Sequence, residues 1–284
     1  MARPLPLCYL NGKQLPLTEA RISPLDRSFL FGDGVYEVLP VYAGKAFRFE
    51  AHYDRLSRSL AALRIREPHD REQWRRIIDS LIAANGGGNL YVYLQVSRGA
   101  EFGRNHAPLP DIEPTVFAYC TPLPQVSPET LTRGLACITA QDTRWARRDI
   151  KSVALLANVL LRQLAVDAGA AETILLQDGK LMEASASTVH VVIRGEIVTP
   201  PDSQRILPGT TRGAVLEVAS SLAIPLRTAE VTEAELRGAD EIWLAAATRE
   251  VQSVTVLDGK PVGNGAPGPL WKRVYAGYQE LKKA

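Results

Sequence analysis

The spacing of apolar residues in the first 119 positions predicts strands that enclose two helices. Residues 7–17 are expected to form a hairpin, because Asn11 and Gly12 both tolerate the positive φ angles of a tight two-residue turn. Alternating and helical apolar spacing predicts the other elements. They are strands over 35–41, 90–97 and 115–119, and helices over 50–65 and 71–84. This combination is typical of a small α+β domain.

A proline-rich stretch separates this part from the rest of the chain. Residues 121–128 contain three prolines, which favour extended backbone and cannot continue a helix. The pattern therefore predicts a small domain over 1–121, a linker over 122–128 and a larger domain over 129–284.

The larger domain is expected to mix helices with strands that are often joined by hairpins. Turns at Asp178-Gly179 and Asp258-Gly259 are two of these hairpins. The predicted elements are strands over 135–140, 172–177, 188–193 and 241–246, and helices over 152–168, 211–222, 232–237 and 269–282. So many hairpins exclude a plain doubly wound parallel sheet, and the fold class is predicted to be mixed α/β.

Composition adds limits on partners and on the cellular compartment. The net charge is +2, from 33 basic and 31 acidic residues, which is too balanced for a partner such as nucleic acid or an anionic membrane. The basic runs 71–76 and 144–148 are interpreted as solvated faces. The three cysteines, Cys8, Cys120 and Cys137, lack the spacing of a zinc site or disulfide framework, so no metal is expected. The chain contains no apolar run of about 18 residues, and a cytoplasmic protein is expected.

Lys151 is the first candidate for chemistry. It follows Asp149 closely and precedes the apolar pattern of the helix predicted over 152–168. A lysine at the mouth of an apolar helix is a candidate for a desolvated amine, which can attack an aldehyde, form a Schiff base and later move a proton. The alternative is a surface lysine whose stem covers apolar side chains.

Two further segments suggest a ligand site in the larger domain. Glu183 lies among small residues at a strand end, where a carboxylate can approach the ring nitrogen of a planar pyridine; otherwise it is a turn-flanking surface residue. Residues 208–213 precede an apolar helix, whose free N–H groups and dipole suit a phosphate. There Thr211 either adds a hydroxyl to the phosphate site or simply caps the helix.

In the smaller domain, Arg55 is a candidate for a bidentate phosphate contact, or for an ion pair on the helix surface.

The loop over 98–114 is the last candidate. Its Arg104 and His106 are two residues apart and can converge on one carboxylate, unless the loop is merely polar and flexible.

These segments together resemble the class IV pyridoxal-phosphate aminotransferases, which are the fold-type IV enzymes. The segments that match are 26–38 (DRSFLFGDGVYEV), 52–56 (HYDRL), 149–152 (DIKS), 183–187 (EASAS) and 207–212 (LPGTTR). The match runs from about residue 7 to residue 280 in order. The resemblance implies two domains, a small α+β domain and a larger one with mixed sheets or a pseudo-barrel, and an active site at the domain interface.

Within the family the chain is most similar to D-amino-acid transaminases, because Arg104-Asn105-His106 matches their Arg-x-His loop. The resemblance implies a homodimer, α-keto-acid acceptors and the cofactor pyridoxal 5'-phosphate. Lys151 would then be the Schiff-base lysine, and Glu183 the partner of the pyridine nitrogen. The remaining implied contacts are those of Arg55, Thr210, Thr211 and Thr248 with the phosphate, of Leu207 with the ring, and of Tyr36, Arg104 and His106 with the substrate carboxylate, the last two from the neighbouring subunit.

Three positions depart from the family pattern. The stretch from Arg98 to Arg104 is one residue longer, Thr188 replaces a usual asparagine, and Ala247 replaces a usual phosphate-binding threonine, a role that Thr248 would take. The rival functions are a branched-chain L-amino-acid aminotransferase, an aminodeoxychorismate lyase, a primary-amine transaminase, and a non-catalytic protein that binds pyridoxal phosphate.

Overall fold

The computed structural model describes residues 2–283, which form two compact units. Unit 1 comprises Met1–Pro124 and Ile150–Leu155, and unit 2 comprises Gln125–Asp149 and Leu156–Ala284. The chain therefore passes from unit 1 to unit 2 inside the proline-rich stretch. The predicted domain limits assign residues 150–155 to the larger domain, whereas their contacts group them with the smaller one.

Unit 1 is a six-stranded antiparallel sheet with two long helices. Its strands have the order β2-β1-β6-β5-β3-β4. The strands are β1 (Leu7–Leu10), β2 (Lys13–Pro16), β3 (Gly34–Tyr42), β4 (Lys45–Ala46), β5 (Leu90–Ser97) and β6 (Thr115–Pro122). The helices are α1 (Arg27–Phe31), α2 (Phe49–Leu63) and α3 (Arg71–Ala84). The hairpin, the two long helices and the strands predicted for this part are confirmed.

The apolar stripes of α2 and α3 form one core with the sheet. Leu60 of α2 and Trp74 of α3 are fully buried, as are Leu39 and Val92 of the strands β3 and β5. The side chain of Asp70 begins α3 in a reciprocal capping box with Gln73, which satisfies donors that the first turn leaves open. Local signals and burial thus agree for α2 and α3.

Helix α1 was not predicted. Asp26 caps it by accepting a hydrogen bond from the N–H of Ser28, and Gly32 ends it with a φ of 67°. A Cβ at Gly32 would lie 3.0 Å from the Cβ of Ala154. Glycine therefore provides both the left-handed turn and room for the segment 150–155.

The segment 150–155 is irregular and pairs with the start of β3 through an antiparallel bridge between Ser152 and Val35. The N–H of Tyr36 donates to the carbonyl of Lys151 at 3.0 Å, and the N–H of Val153 donates to the carbonyl of Gly34 at 3.0 Å. The helix predicted over 152–168 is therefore wrong at its start, because these backbone groups pair with a strand. The helix begins only at Leu156.

Unit 2 is built on a nine-stranded mixed sheet. The strand order is β12-β11-β10-β13-β14-β7-β8-β9, and β15 pairs with β14. The strands are β7 (Leu135–Gln141), β8 (Glu172–Gln177), β9 (Lys180–Ala184), β10 (Thr188–Ile193), β11 (Glu196–Thr199), β12 (Leu226–Thr228), β13 (Glu241–Ala246), β14 (Glu250–Leu257) and β15 (Lys260–Pro261). The helices are α4 (Pro128–Arg133), α5 (Leu156–Asp167), α6 (Thr210–Ser221), α7 (Glu233–Arg237) and α8 (Pro269–Leu281).

This sheet confirms the predicted mixed fold class. The pairs β11–β12, β14–β7 and β7–β8 are parallel, and the hairpin pairs β8–β9, β10–β11 and β13–β14 are antiparallel. Residues on both faces of β8, β10 and β13 are buried, as expected for a sheet that is covered on both sides. No helix among residues 2–283 is long and apolar enough to span a bilayer.

Candidate active site

Lys151 and Tyr36 lie side by side in unit 1. The Nζ atom of Lys151 is 4.2 Å from the centroid of the Tyr36 ring, a distance at which an ammonium is attracted to the face of an aromatic ring. Tyr36 in turn stacks on Tyr93 at 5.7 Å. The N–H of Lys151 donates to Oγ of Ser59 on α2 at 3.3 Å. Backbone pairing with β3 and this contact with α2 fix the base of the lysine side chain.

Glu37 follows Tyr36 in β3, and its buried carboxylate is held by two basic side chains. Oε1 of Glu37 accepts from Nε of Arg55 at 2.8 Å, and Oε2 accepts from Nη2 of Arg55 and from Nδ1 of His52, both at 2.7 Å. Burial works against the charge of Glu37, but the Arg55 guanidinium and these hydrogen bonds outweigh it and lower the pKa well below its usual range.

His52 is buried with this ion pair, and its pKa is lowered from the ordinary value. Burial is the main cause that lowers the pKa of His52; the nearby charges of Arg55 and Lys151 act in the same direction, while Glu37 opposes them. Because an ionised carboxylate can only accept hydrogen bonds, Nδ1 of His52 carries the ring proton. Arg55, which is predicted to bind the phosphate, thus donates two of its nitrogens to Glu37.

Arg104 and His106 lie on the loop between β5 and β6 and meet at one aromatic ring. Cζ of Arg104 is 5.2 Å from the centroid of Phe31, and the His106 ring packs edge-on against the same ring at 5.5 Å. Both side chains are exposed. The long loop predicted over 98–114 is confirmed by the strand ends at Ser97 and Thr115.

In unit 2, Glu183 and Leu207 are brought together at a second buried carboxylate. The N–H of Leu207 lies 3.2 Å from both oxygens of Glu183, and Nη1 of Arg144 donates to Oε1 at 2.5 Å. Burial raises the pKa of Glu183, and the opposing charge of Arg144 is not enough to restore the usual value. The alternative of a surface glutamate is therefore wrong.

Arg144 itself was missed as a site residue, and the interpretation of 144–148 as a solvated face is wrong for Arg144 and Arg148, which are buried. Nε and Nη2 of Arg144 hold the two oxygens of Asp142 at 2.9 and 2.7 Å. Nη1 of Arg148 donates to Oε1 of Gln177 at 2.7 Å and lies 3.4 Å from Asp142. The alternation of Asp142 with two arginines, just ahead of Lys151, is the signal that would have pointed to a buried network.

The predicted phosphate site lies at the first turn of α6. Gly209 is the N-cap residue, and it offers no side-chain hydrogen bond to the helix, so the alternative of a threonine cap is wrong. Thr210 and Thr211 follow in the first turn and are buried. A Cβ at position 209 would lie 2.7 Å from Oγ1 of Thr188. Only glycine lets the strand β10 approach this helix end so closely.

The other residues of this region have clear structural positions. Arg212 turns away from the helix end and donates to the carbonyl of Pro200 at 2.9 Å and to Asp202 at 3.0 Å. Thr248 lies on the turn that joins β13 to β14. The predicted site residues therefore fall into two sets, one described in each unit.

Comparison with known proteins decides the family. The family model described as amino-transferase class IV matches residues 34–257, which is most of the chain. The chain belongs to the class IV aminotransferases. The family description agrees with the aminotransferase activity that the resemblance implies.

The sequence of this class IV aminotransferase is similar to those of its relatives over almost the whole length. It is 38% identical to the D-alanine aminotransferase of Bacillus licheniformis over 273 residues, which cover 95% of this chain and 94% of that protein. It is 34% identical to the D-alanine aminotransferase of Staphylococcus aureus (strain MSSA476), with 96% of each chain covered.

Solved structures share the fold. The branched-chain amino acid aminotransferase of Escherichia coli superposes with a TM-score of 0.92 at 24% identity, covering 98% of this chain and 94% of that one. A hypothetical aminotransferase from Mycobacterium tuberculosis in a PLP-bound form gives a TM-score of 0.85 at 25% identity, covering 97% of this chain and 98% of that one.

Proposed function

We propose that this class IV aminotransferase moves the amino group of a D-amino acid, of the D-alanine or D-glutamate type, to an α-keto acid with the help of pyridoxal 5'-phosphate. The observation that carries the proposal is the pairing of Arg104 and His106 on one aromatic ring. A guanidinium and an imidazole held together suit one carboxylate. The full-length similarity to D-alanine aminotransferases supports the same substrate class.

The chemistry of the residues present suits this cofactor. Glu183 is a buried carboxylate, which is the acceptor that a protonated ring nitrogen requires. The first turn of α6 follows a glycine and begins with two buried threonines, an arrangement that suits a phosphate. When bound, the cofactor would supply the electron sink for the bonds at the substrate Cα atom. Leu207, whose N–H is fixed on Glu183, would pack on the ring.

Each site residue then has a defined task. Lys151 would hold the cofactor and move the proton that leaves the substrate Cα atom. Glu183 would keep the ring nitrogen protonated. Arg55, Thr210, Thr211 and Thr248 would bind the phosphate. The substrate carboxylate would be bound by Tyr36, Arg104 and His106.

The test of this assignment is a change at Lys151. Lys151→Ala is expected to lose the absorbance near the visible edge that the lysine gives to the bound cofactor, together with turnover. Lys45→Ala, at an exposed lysine on β4, is the control and should keep both. Turnover and an unchanged absorbance band in Lys151→Ala would refute the assignment.

A branched-chain activity is the second candidate, because solved structures that share this fold include branched-chain amino acid aminotransferases. The discriminating experiment mixes the loaded enzyme with D-alanine or L-alanine in separate half-reactions and adds L-leucine, aminodeoxychorismate and 1-phenylethylamine. We expect D-alanine to react fastest. Reaction with the L-amino acids alone would overturn the proposed subclass.

We also propose that the enzyme is a homodimer, with helix α5 as part of the interface. Leu156, Val159, Leu160 and Leu164 recur at helical spacing on α5 and are 74%, 61%, 61% and 45% exposed. Such an apolar stripe is a common mark of a protein interface. Leu160→Lys should shift the sedimentation coefficient toward the monomer, whereas Gln163→Lys on the same helix should not. An unchanged dimer in Leu160→Lys would exclude α5 from the interface.

A further inference from the structure

The loop that carries Arg104 and His106 is tied to the body of unit 1 by one buried arginine. Nη1 of Arg27 donates to the carbonyl of Asn105 at 2.7 Å, and Nη2 donates to the carbonyl of His106 at 2.9 Å. Nη1 also pairs with Glu101, near the beginning of the loop. Three points of a long irregular segment therefore converge on a single guanidinium.

Arg27 is itself held rigidly. Its Nε donates to Oδ2 of Asp33 at 2.9 Å, and the same carboxylate accepts from Nε and Nη2 of Arg98 at 2.7 and 2.9 Å. The second oxygen of Glu101 accepts from the N–H of Leu109 at 3.0 Å. Asp33 thus links the guanidinium to the body of unit 1, and the remaining nitrogens of Arg27 bind the loop.

The ring of Phe31 completes the arrangement. Cζ of Arg27 is 4.7 Å from its centroid, and Arg104 and His106 contact the same ring. Arg27 and Phe31 both belong to α1, so one short helix holds the backbone of the loop and contacts the side chains of Arg104 and His106. A loop of this length would otherwise sample many conformations, and few of them would bring Arg104 and His106 together.

We propose that Arg27, aided by Phe31, is a positioning residue that sets Arg104 and His106 as one carboxylate receptor, and that it thereby makes the α-carboxylate the feature by which the enzyme selects its amine donor. This inference rests on the proposed function. If the anchor is weakened, only the fraction of loops in the correct conformation binds substrate, and the apparent affinity falls by that fraction. An amine without a carboxylate gains nothing from the receptor and should be indifferent to the anchor.

The experiment compares D-alanine with D-alaninol, in which a hydroxymethyl group replaces the carboxylate. Arg27→Lys keeps a positive charge beside Asp33 and Glu101 but loses the fork that holds two carbonyls. We expect kcat/KM for D-alanine to fall by about 10- to 100-fold, mainly through KM, as two or three charge-assisted hydrogen bonds would predict. The value for D-alaninol should change by less than about threefold. Phe31→Leu should act in the same direction, more weakly.

Arg71→Lys is the matched control. Arg71 is the first residue of α3, and its guanidinium pairs with Glu50 and Asp54 of α2. The ratio of the two substrates should therefore stay close to that of the unchanged enzyme in Arg71→Lys. Equal losses for D-alanine and D-alaninol in Arg27→Lys would overturn the proposal.

Hydrogen exchange gives a readout that does not depend on turnover. Amide exchange over residues 101–109 should become faster in Arg27→Lys and not in Arg71→Lys. If the unchanged enzyme reacts with neither amine, the proposed function fails, while faster exchange in this loop would still support the anchor. Unchanged exchange in the loop of Arg27→Lys would overturn the anchor, whatever the enzyme's substrate.

Discussion

Glu37 in unit 1 and Glu183 in unit 2 are both buried beside predicted site residues, and their pKa values are shifted in opposite directions. Glu37 in unit 1 accepts two hydrogen bonds from one guanidinium and a third from His52. Glu183 in unit 2 accepts from Arg144 and from the N–H of Leu207. Burial raises the pKa of Glu183, whereas at Glu37 the same burial is outweighed by Arg55 and the pKa is lowered.

The difference comes from how the arginine is shared. Arg55 presents two nitrogens to Glu37, one to each oxygen, which is the strong bidentate arrangement. Arg144 gives two nitrogens to Asp142 and only Nη1 to Glu183. Because Arg144 is shared between two carboxylates, the charge of Glu183 is only partly compensated. Glu183 can therefore pair with a further cation, and a protonated ring nitrogen would be such a cation. Glu37 is already neutralised and serves the architecture of unit 1.

The largest expected effect is on the stability of unit 1 in Glu37→Gln. The change leaves a buried guanidinium without its counter-charge, and breaking a buried pair in this way costs about 3–5 kcal/mol of unfolding free energy. Urea unfolding, with hydrogen exchange to assign the transition to unit 1, measures the loss. Because the pKa of Glu37 is lowered, its contribution is present above the ordinary value of 4.5 and is lost as the pH falls through the folded-state pKa.

A double variant sharpens this prediction. Glu37→Leu combined with Arg55→Met removes both charges, and such replacement is often close to neutral in stability. We expect it to recover most of the loss that either single change causes. If the double variant is as unstable as the sum of the single variants, Glu37 and Arg55 do not act as a pair.

How much of this was predictable from the sequence depends on the range of the interaction. The hairpin around Asn11-Gly12 and helix α3 follow from turn chemistry, apolar spacing and a local cap, and all of these act over a few residues. The start of helix α5 did not follow, because residues 151 and 153 use their backbone groups on β3, more than 100 residues away in the chain. Tertiary pairing overrode a helical pattern there.

The candidate site divides in the same manner. Lys151, Glu183 and the loop pair Arg104 and His106 were proposed from motifs, and their roles stay predictions. The groups that hold them, Arg144 and Arg27, look like ordinary surface arginines in the sequence. Their burial depends on acceptors such as Asp142 and the carbonyl of Asn105, and no local pattern reports those contacts.

Glu183→Gln is expected to have a large effect on turnover and a small one on stability. An amide cannot keep a ring nitrogen protonated, and the loss of such an electrostatic partner typically costs about 100- to 1,000-fold in kcat. The stability should change by less than about 1 kcal/mol, because Asp142 still pairs with Arg144 and the amide oxygen can still accept from Leu207. Turnover with D-alanine and urea unfolding measure the two quantities.

The pH dependence of this variant has a definite sign. The pKa of Glu183 is raised, so the folded protein binds this proton more tightly than the unfolded chain does. Its contribution is favourable at low pH and is lost as the pH rises from the ordinary value of 4.5 through the folded-state pKa. Glu183→Gln should therefore gain stability relative to the unchanged enzyme over that window. A gain toward acid pH instead would mean that Glu183 is stabilised as a carboxylate.

His190 extends the comparison to a buried group that lacks the hydrogen bonds of both glutamates. Within residues 2–283 neither of its ring nitrogens has a hydrogen-bond partner, and the side chain is completely buried. Burial, aided by the charge of Arg212, lowers its pKa to about 3 from 6.5. The unfolded chain therefore binds one more proton between these values, and stability must fall with decreasing pH by up to about 1.4 kcal/mol per unit.

Replacing this histidine should flatten the acid side of the stability curve. His190→Leu removes the proton uptake, so the slope of unfolding free energy between about pH 6 and about pH 4 should fall by up to one proton equivalent. Gln204→Leu, at an exposed residue without an ionisable side chain, is the control and should leave the slope unchanged. An equal acid slope in His190→Leu and in the unchanged protein would show that His190 finds a partner for its proton.

The smallest effect is expected for Asp142→Asn, which tests directly whether the sharing of Arg144 sets the pKa of Glu183. Asp142 competes with Glu183 for Arg144, and its negative charge is one of the causes that raise the pKa of Glu183. Asp142→Asn should free Arg144 to pair with Glu183 more fully and should lower the pKa of Glu183, making it behave more like Glu37.

Carbon-13 NMR of glutamate-labelled protein can follow this titration, with the Glu183 signal assigned by its absence in Glu183→Gln. The signal should move to lower pH in Asp142→Asn, while that of Glu37, which Arg55 alone holds by two nitrogens, should not move. A pKa of Glu183 that rises in Asp142→Asn would mean that Asp142 orients Arg144 for Glu183, and sharing could then no longer explain why the two carboxylates differ.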